Sequence, residues 1–170
     1  HDGPLNDPGL RELFDPTPQP YPDWDALFYE PHTAHRMNAV YRPYNYQEKA
    51  HHVPSYKSLG RLLADAGNRD IDELATEFIT TLMQALTVRA TRRSHTNVLY
   101  HLSGYLKRTV EASERQRLNE LIDQYRQGHV PLVVPVTMLK HHFANSPNSY
   151  IDQQVFMAPY PDELKLRNLI

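Results

Sequence analysis

Residues 70–86 read DIDELATEFITTLMQAL, and this stretch points most directly to the fold class. Asp70 followed three residues later by Glu73 has the spacing of a capping box, which satisfies free backbone amides at the start of a helix. The apolar residues that follow recur mostly three or four positions apart, as on one face of an α-helix. They are Ile71, Leu74, Phe78, Leu82, Ala85 and Leu86. The stretch therefore predicts a long amphipathic helix.

Helical periodicity continues on both sides of this stretch. Upstream, Ser55 is placed to cap a helix, and Gly67 fits the left-handed residue that ends it. Downstream, a third helix is predicted to start near residues 94–95 and to bury apolar side chains at helical spacing. These are Val98, Leu99, Leu102 and Leu106.

Two further helices are predicted in the second half of the chain. Ser113 opens a second capping-box pattern, and Gly128 is expected to stop the helix that follows. Pro131 suits the first turn of the next helix. The run of valines after it would also suit a strand, but Pro135 removes a donor from any strand ladder, so a helix is favoured.

The remaining segments are shorter or irregular. A short helix is expected near residues 148–156, and Pro161 is expected to begin a last one. Residues 1–50 contain many prolines and no sustained apolar period, which predicts an extended arm. The fold class is therefore predicted to be all-α: a compact bundle of five or six helices with an extended Pro-rich N-terminal arm.

Composition narrows the classes of function. The 170 residues are 40% hydrophobic and include no cysteine. Disulfides, thiolate zinc sites, cysteine nucleophiles and cysteine-ligated iron–sulfur clusters are therefore not expected in this chain. No apolar run approaches 18 residues and no signal-peptide pattern is present, so we expect no membrane contact and a cytoplasmic location.

The net charge is −2, but the acidic and basic residues are unevenly distributed along the chain. Residues 1–30 contain seven acids and one base, whereas residues 78–110 contain five bases and no acid. Residues 124–151 are also free of acids. This asymmetry predicts an anionic partner for the middle and late chain, and a solvated basic face without a partner is the alternative.

The most informative segment for function is 89–108, RATRRSHTNVLYHLSGYLKR. On a helix, Asn97, His101, Gly104 and Arg108 would share one face, and the arginines at its start would suit a phosphate. We predict RNA contacts, mostly electrostatic, from this segment and from the basic pair in the second acid-free stretch. The predicted residues are Arg89, Arg92, Arg93, His95, Asn97, His101, Tyr105, Lys107, Arg108, Lys140 and His141.

Three other kinds of function are alternatives to RNA binding. A metal site is disfavoured, because adjacent histidines such as His51 and His52 point about 100° apart on a helix. A small enzyme using His95 or His101 in a pocket between helices is one alternative. A docking domain that contacts a protein partner through its acidic arm is the other.

Several uncommon segments give the chain a family resemblance. They are AHHVPSYKSLGRLLADAG from residue 50, SHTNVLYHLSGYLKR from residue 94, ERQRLNELIDQYRQGHVPLVVPVTMLKHH from residue 114 and PNSYIDQQVFMAPYPDELKLRN from residue 147. In this order they resemble the YbgA-like family, a domain of unknown function. Members occur alone or fused behind a TudS-type desulfidase domain that removes sulfur from thiouracil-type bases.

The resemblance implies a division of the chain and a role for it. Residues 1–14 resemble the end of a desulfidase domain, 15–50 form a Pro/Tyr-rich arm or linker, and 51–170 form the YbgA-like helical domain. The family implies a non-catalytic tRNA-binding module accessory to removal of sulfur from bases such as 4-thiouridine. The [4Fe-4S] cluster of that chemistry would belong to a desulfidase domain in cis or in trans, with no cofactor in this chain.

Overall fold

The computed structural model describes residues 33–154 and 156–157. Within these residues all regular structure is helical, which confirms the all-α prediction. None of the helices described there has the length and apolar character needed to cross a membrane. In chain order the helices are α1 (Ala34–Tyr41), α2 (Asn45–His51), α3 (Val53–Ala64), α4 (Ile71–Thr87), α5 (Arg92–Gly104), α6 (Ala112–Arg126), α7 (Val133–Asn145) and α8 (Ser149–Asp152).

The chain divides into two compact units, at residues 1–89 and 90–170. The first unit contains helices α1 to α4, and α2, α3 and α4 pack on one another. The apolar stripe predicted for α4 lies in its core, where Leu74, Phe78 and Leu82 are almost fully buried. They cluster with side chains from α1, α3 and the short turn after α3, namely Met37, Tyr41, Leu59 and Ala66.

The extended conformation predicted for the arm is wrong over residues 34–50, which are helical. Thr33 caps α1 by accepting a hydrogen bond from the backbone amide of Arg36 at 3.1 Å. Pro43 lies in a short 3₁₀ helix, Arg42–Tyr44, where its fixed φ suits the first turn. Residues 1–32 and the helix expected after Pro161 lie outside the described residues. The boundaries at 14/15 and 50/51 stay predictions.

The ends of α3 and α4 refine the expectations for this unit. His52 rather than Ser55 caps α3, because its ring Nδ1 accepts the Ser55 amide at 3.2 Å. Gly67 lies in a 3₁₀ turn, Ala66–Asn68, and not in the left-handed conformation that was predicted. Asp70 caps α4 as expected, and its carboxylate accepts the amides of residues 72 and 73.

The first unit buries an ionisable group, Glu48. Its side chain is fully buried, and the Tyr41 hydroxyl donates a hydrogen bond to Oε2. Oε1 has no hydrogen-bond partner among the described residues. Burial raises the pKa of Glu48 from 4.5 to about 7, although the hydrogen bond from Tyr41 acts in the opposite direction. The carboxyl group is therefore partly protonated at neutral pH.

His51 links the end of α2 to the end of α4. Its Nδ1 lies 2.7 Å from the backbone carbonyl oxygen of Val88. Its Nε2 lies 3.4 Å from the side-chain amide nitrogen of Gln47. A carbonyl can only accept, so His51 carries a proton on Nδ1.

The second unit is built from α5, α6 and α7, with the short α8 after them. Helix α6 packs on both α5 and α7. The apolar stripes predicted for these helices are buried as expected, and the large side chains of their core are Val98, Leu99, Leu102, Leu106, Leu118, Ile122, Tyr125, Leu132, Val136, Leu139 and Phe143.

The boundaries of α6 follow one prediction and correct another. The helix begins at Ala112 after Glu111, without a side-chain cap, so the predicted capping box at Ser113 is wrong. Gly128 ends it with φ +84°, as predicted. The amides of Gly128 and His129 bond the carbonyls of Tyr125 and Gln124, at 3.0 and 2.9 Å. This pattern is a Schellman motif.

The valine run forms helix α7, as predicted. Pro131 lies just before the helix, while Pro135 lies in its first turn, where a missing amide hydrogen breaks no helical bond. The helix predicted over 148–156 is shorter than expected. Asn148 caps α8, which covers only Ser149–Asp152.

Candidate nucleic-acid interface

Helix α5 carries most of the predicted contact residues, and its start is set by Thr91. The Thr91 hydroxyl accepts the Ser94 amide at 3.1 Å, and the Ser94 hydroxyl accepts the Thr91 amide at 2.9 Å. This reciprocal pair is a capping box. The helix therefore begins at Arg92, two residues before the predicted start, and Ser94 closes the first turn instead of preceding it.

Arg92 is held by the end of α6. Its Nη1 donates to the backbone carbonyl of Tyr125 at 2.6 Å, and its guanidinium carbon lies 4.8 Å from the centre of the Tyr125 ring. A cation at a helix C-terminus also interacts favourably with the helix dipole. Arg92 thus joins α5 to α6. This structural contact explains why an arginine occupies the position, and no ligand is needed to explain it.

His95 does not lie at the surface. The side chain is 4% exposed, and its Nδ1 is 3.2 Å from the Tyr125 hydroxyl. The Phe156 ring lies 5.8 Å away in an edge-on arrangement. Burial raises the pKa of Tyr125 to about 12, with Arg92 acting in the opposite direction. The structure gives His95 a place in the core, which corrects the prediction that its side chain contacts RNA.

The outward side of α5 forms a continuous stripe, here called the α5 face. It consists of five exposed residues, Arg93, Asn97, Tyr100, His101 and Gly104. These positions lie within about one-third of the helix circumference, since each residue advances about 100°. The α5 face contains one positive charge, hydrogen-bonding groups and an aromatic ring, and no acid.

Tyr100 is the residue of this face that sequence reasoning missed. It is 40% exposed, one of four large hydrophobic side chains in the described residues with that degree of exposure. Helical spacing already placed it beside Asn97 and Gly104, three positions before and four positions after it.

Gly104 and Tyr105 complete the end of the face. A Cβ built on Gly104 would meet no atom within 4 Å, so packing within the protein does not require a glycine there. Tyr105 is 43% exposed, and its ring lies 6.2 Å from that of Tyr150 in α8. The ring of Tyr105 is therefore supported on one side and accessible on another.

The helix ends at Gly104, and residues 105–109 form turns. Arg108 therefore does not share a helical face with Asn97 and His101, which corrects that prediction. Lys107 and Arg108 are exposed in these turns. The Lys107 carbonyl accepts a hydrogen bond from Arg115 at 3.0 Å, which ties the turns to α6.

The other predicted contact residues lie outside α5. Lys140 and His141 are exposed on α7, where the His141 ring lies 5.6 Å from that of His142. Arg89 is exposed after the end of α4 and belongs to the first unit. The structure thus brings the central predicted residues together on α5 and the turns after it.

Comparison with known proteins assigns the family. The chain matches the profile of a family described as "Protein of unknown function (DUF1722)" over residues 46–161. The chain belongs to this DUF1722 family. It is also 34% identical over 120 residues to "Uncharacterized protein YbgA" of Escherichia coli strain K12, covering 70% of this chain and 71% of the relative. The resemblance to YbgA-like proteins is thereby confirmed, while no solved structure matches.

The family match crosses both units of this DUF1722 chain. It begins within α2 and extends beyond α8, so it includes α5 and the turns after it. Helix α1 lies before the matched region. The family description states no activity.

The enzyme alternative requires His95 or His101 in a pocket between helices of this DUF1722 chain. An open groove of about 790 Å³ runs along α6, and neither His95 nor His101 lines it. Its lining residues carry charges of both signs: Ala112, Arg115, Gln116, Asn119, Glu120, Asp123 and Gln124. In the described part of the chain, no three histidine, aspartate or glutamate side chains are arranged to hold a metal ion.

Proposed function

We propose that this DUF1722 chain is an RNA-binding module whose ligand is tRNA. The observation that supports it most is the exposed, acid-free surface formed by the α5 face and the turns after it, with Arg93, Lys107 and Arg108 as its cations. Phosphates are bound mainly through such cations, and each neutralised phosphate releases counterions. Binding in the cytoplasm, where tRNA is found, is part of the proposal.

Electrostatic binding predicts a steep dependence on salt. The affinity for tRNA should fall as salt rises, and replacing Arg93 and Arg108 by alanine should weaken binding and reduce the logarithmic salt slope by up to about 2. Arg92 is left unchanged, because its guanidinium joins α5 to α6. The measurement is fluorescence anisotropy of labelled tRNA over a salt series.

A matched control changes the net charge by the same amount elsewhere. Arg117 and Arg126 lie exposed on α6, where Arg126 forms an ion pair with Asp123 at 2.7 Å. Replacing both by alanine should leave the salt slope unchanged. No binding at low salt, or an equal effect of the two double variants, would contradict the proposal.

The resemblance to the YbgA-like family supports a more specific role. We propose that the module presents thiolated tRNA, with bases such as 4-thiouridine, to a TudS-type desulfidase domain. The chain has no cysteine and so lacks the thiolate ligands of a [4Fe-4S] cluster. Its own residues therefore bind and position the RNA, and the chemical step belongs to the partner domain.

The presentation role is tested with a separate desulfidase domain. Adding this chain should raise the rate of sulfur loss from thiolated tRNA at low substrate concentration, and the Arg93 and Arg108 double variant should abolish the increase. The rate on the free thiouracil base should not change, because that substrate has no phosphates. A chain that binds tRNA without raising this rate would refute the presentation role alone.

A further inference from the structure

Exposed aromatic rings lie on the same surface as the cations. Tyr100 and Tyr105 are 40% and 43% exposed, while most other tyrosines of the described residues are buried or half-buried. A tyrosine ring exposed at the surface offers a flat face on which another planar group can stack. Electrostatic binding of phosphates does not explain these rings.

Gly104 lies beside Tyr100 on the α5 face. The two positions are about 40° apart around the helix, and Tyr105 follows directly after Gly104. Because a Cβ at position 104 would meet no atom within 4 Å, the backbone there is open to an approaching molecule. His101 is exposed beside it on the same face.

We infer that the α5 face, with Tyr105, is a binding site for unpaired nucleotides, in which a base stacks on Tyr100 and its backbone passes over Gly104. In a duplex the bases are already stacked on one another, and only single-stranded or loop bases expose a face to a side chain. The inference deepens the proposed RNA binding, on which it rests, by naming single-stranded RNA as the preferred class of ligand.

The test compares two RNA probes of the same sequence. One is a labelled single-stranded oligoribonucleotide of about 12 nucleotides, and the other is the duplex formed with its complement. The full chain should bind the single strand more tightly. Tyr100→Ala should lower the affinity for the single strand at least about fivefold, because one stacked base is lost. Tyr100→Phe keeps the ring and should stay within about twofold of the parent chain.

A second variant tests the backbone approach without removing a contact. Gly104→Leu should fold, since nothing crowds a Cβ at that position, as circular dichroism and the melting temperature would show. Its side chain should fill the space that the RNA occupies and lower single-strand affinity at least about fivefold. The affinity for the duplex should change less than about twofold in both Tyr100→Ala and Gly104→Leu.

The possible outcomes separate this inference from the proposed function. If single strand and duplex both bind with a steep salt slope but Tyr100→Ala and Gly104→Leu change neither, the stacking site is refuted and electrostatic RNA binding stands. If the variants weaken both probes equally, preference for unpaired bases is refuted. If tRNA binds at low salt but neither probe does, this inference fails and the proposed function stands.

Discussion

The two units of this DUF1722 chain treat their buried polar groups differently. In the first unit Glu48 is fully buried, and one of its oxygens has no hydrogen-bond partner among the described residues. In the second unit His95 meets the Tyr125 hydroxyl at 3.2 Å, and the Ser103 hydroxyl donates to Asn119 at 2.8 Å. The stability of the first unit therefore depends on the protonation of Glu48. The second unit instead has paired polar groups beneath its candidate binding face.

The largest effect expected from this difference is on the pH dependence of stability. The pKa of Glu48 is about 7 in the folded chain and 4.5 as its ordinary value, so between these values the folded state binds more protons than the unfolded state. The free energy of unfolding should therefore fall as pH rises from 4.5 to 7, by about 3 kcal/mol in total. Urea unfolding at a series of pH values measures this loss.

Glu48→Gln should remove most of that pH dependence, because glutamine does not ionise. Relative to the parent chain, the free energy of unfolding of the variant should increase progressively as the pH rises above 4.5. Glu73→Gln is the control, since this glutamate is exposed on α4 and should leave the slope unchanged. A slope equally steep in Glu48→Gln and the parent chain would show that Glu48 does not cause the pH dependence of stability.

A smaller effect is expected from the paired polar group of the second unit. Tyr125→Phe keeps the ring beneath Arg92 but removes the hydroxyl that meets His95, and should cost about 1–2 kcal/mol of stability. Unfolding free energies of the two chains at one pH measure the loss, and no loss would show that the hydroxyl contributes nothing.

The smallest effect concerns helix caps, of which each unit supplies one example. Asp70 caps α4 and Thr91 caps α5, each through a side-chain oxygen on backbone amides. Asp70→Ala and Thr91→Ala should each cost about 1 kcal/mol. Both caps are exposed, so the two substitutions should lower the free energy of unfolding by similar amounts. A clearly larger loss for one would show that its unit depends on more than the cap.

Much of the fold could be predicted because the helices are strongly amphipathic. The stripe of α4, the cap at Asp70 and the glycine stop at residue 128 all follow from local spacing and turn chemistry. The helices over 34–51 could not be predicted in this way. Their buried residues include Tyr44, Gln47 and Glu48, which look like surface or arm residues until tertiary packing covers them.

The candidate site was predictable in its charge but not in its detail. The absence of acids from 78–110 selects the segment, and the structure exposes four of its five cations, all but Arg92. His95 could not be assigned to the core from sequence, because its burial depends on Tyr125, thirty positions away. Tyr100 could have been found from helical spacing alone. Contacts between residues close in sequence can be predicted from spacing, whereas contacts between distant residues cannot.

The bond between His51 and the Val88 carbonyl has a spectroscopic consequence. The Nδ1 nitrogen of this buried ring lies 2.7 Å from the carbonyl oxygen, and the proton between the two atoms exchanges slowly with water. It should therefore give its own resonance far downfield in a proton NMR spectrum, in a region without backbone signals. His51→Gln would identify the signal. Because the bond spans α2 and the end of α4, that single line would report on the integrity of the first unit while RNA is titrated onto the second.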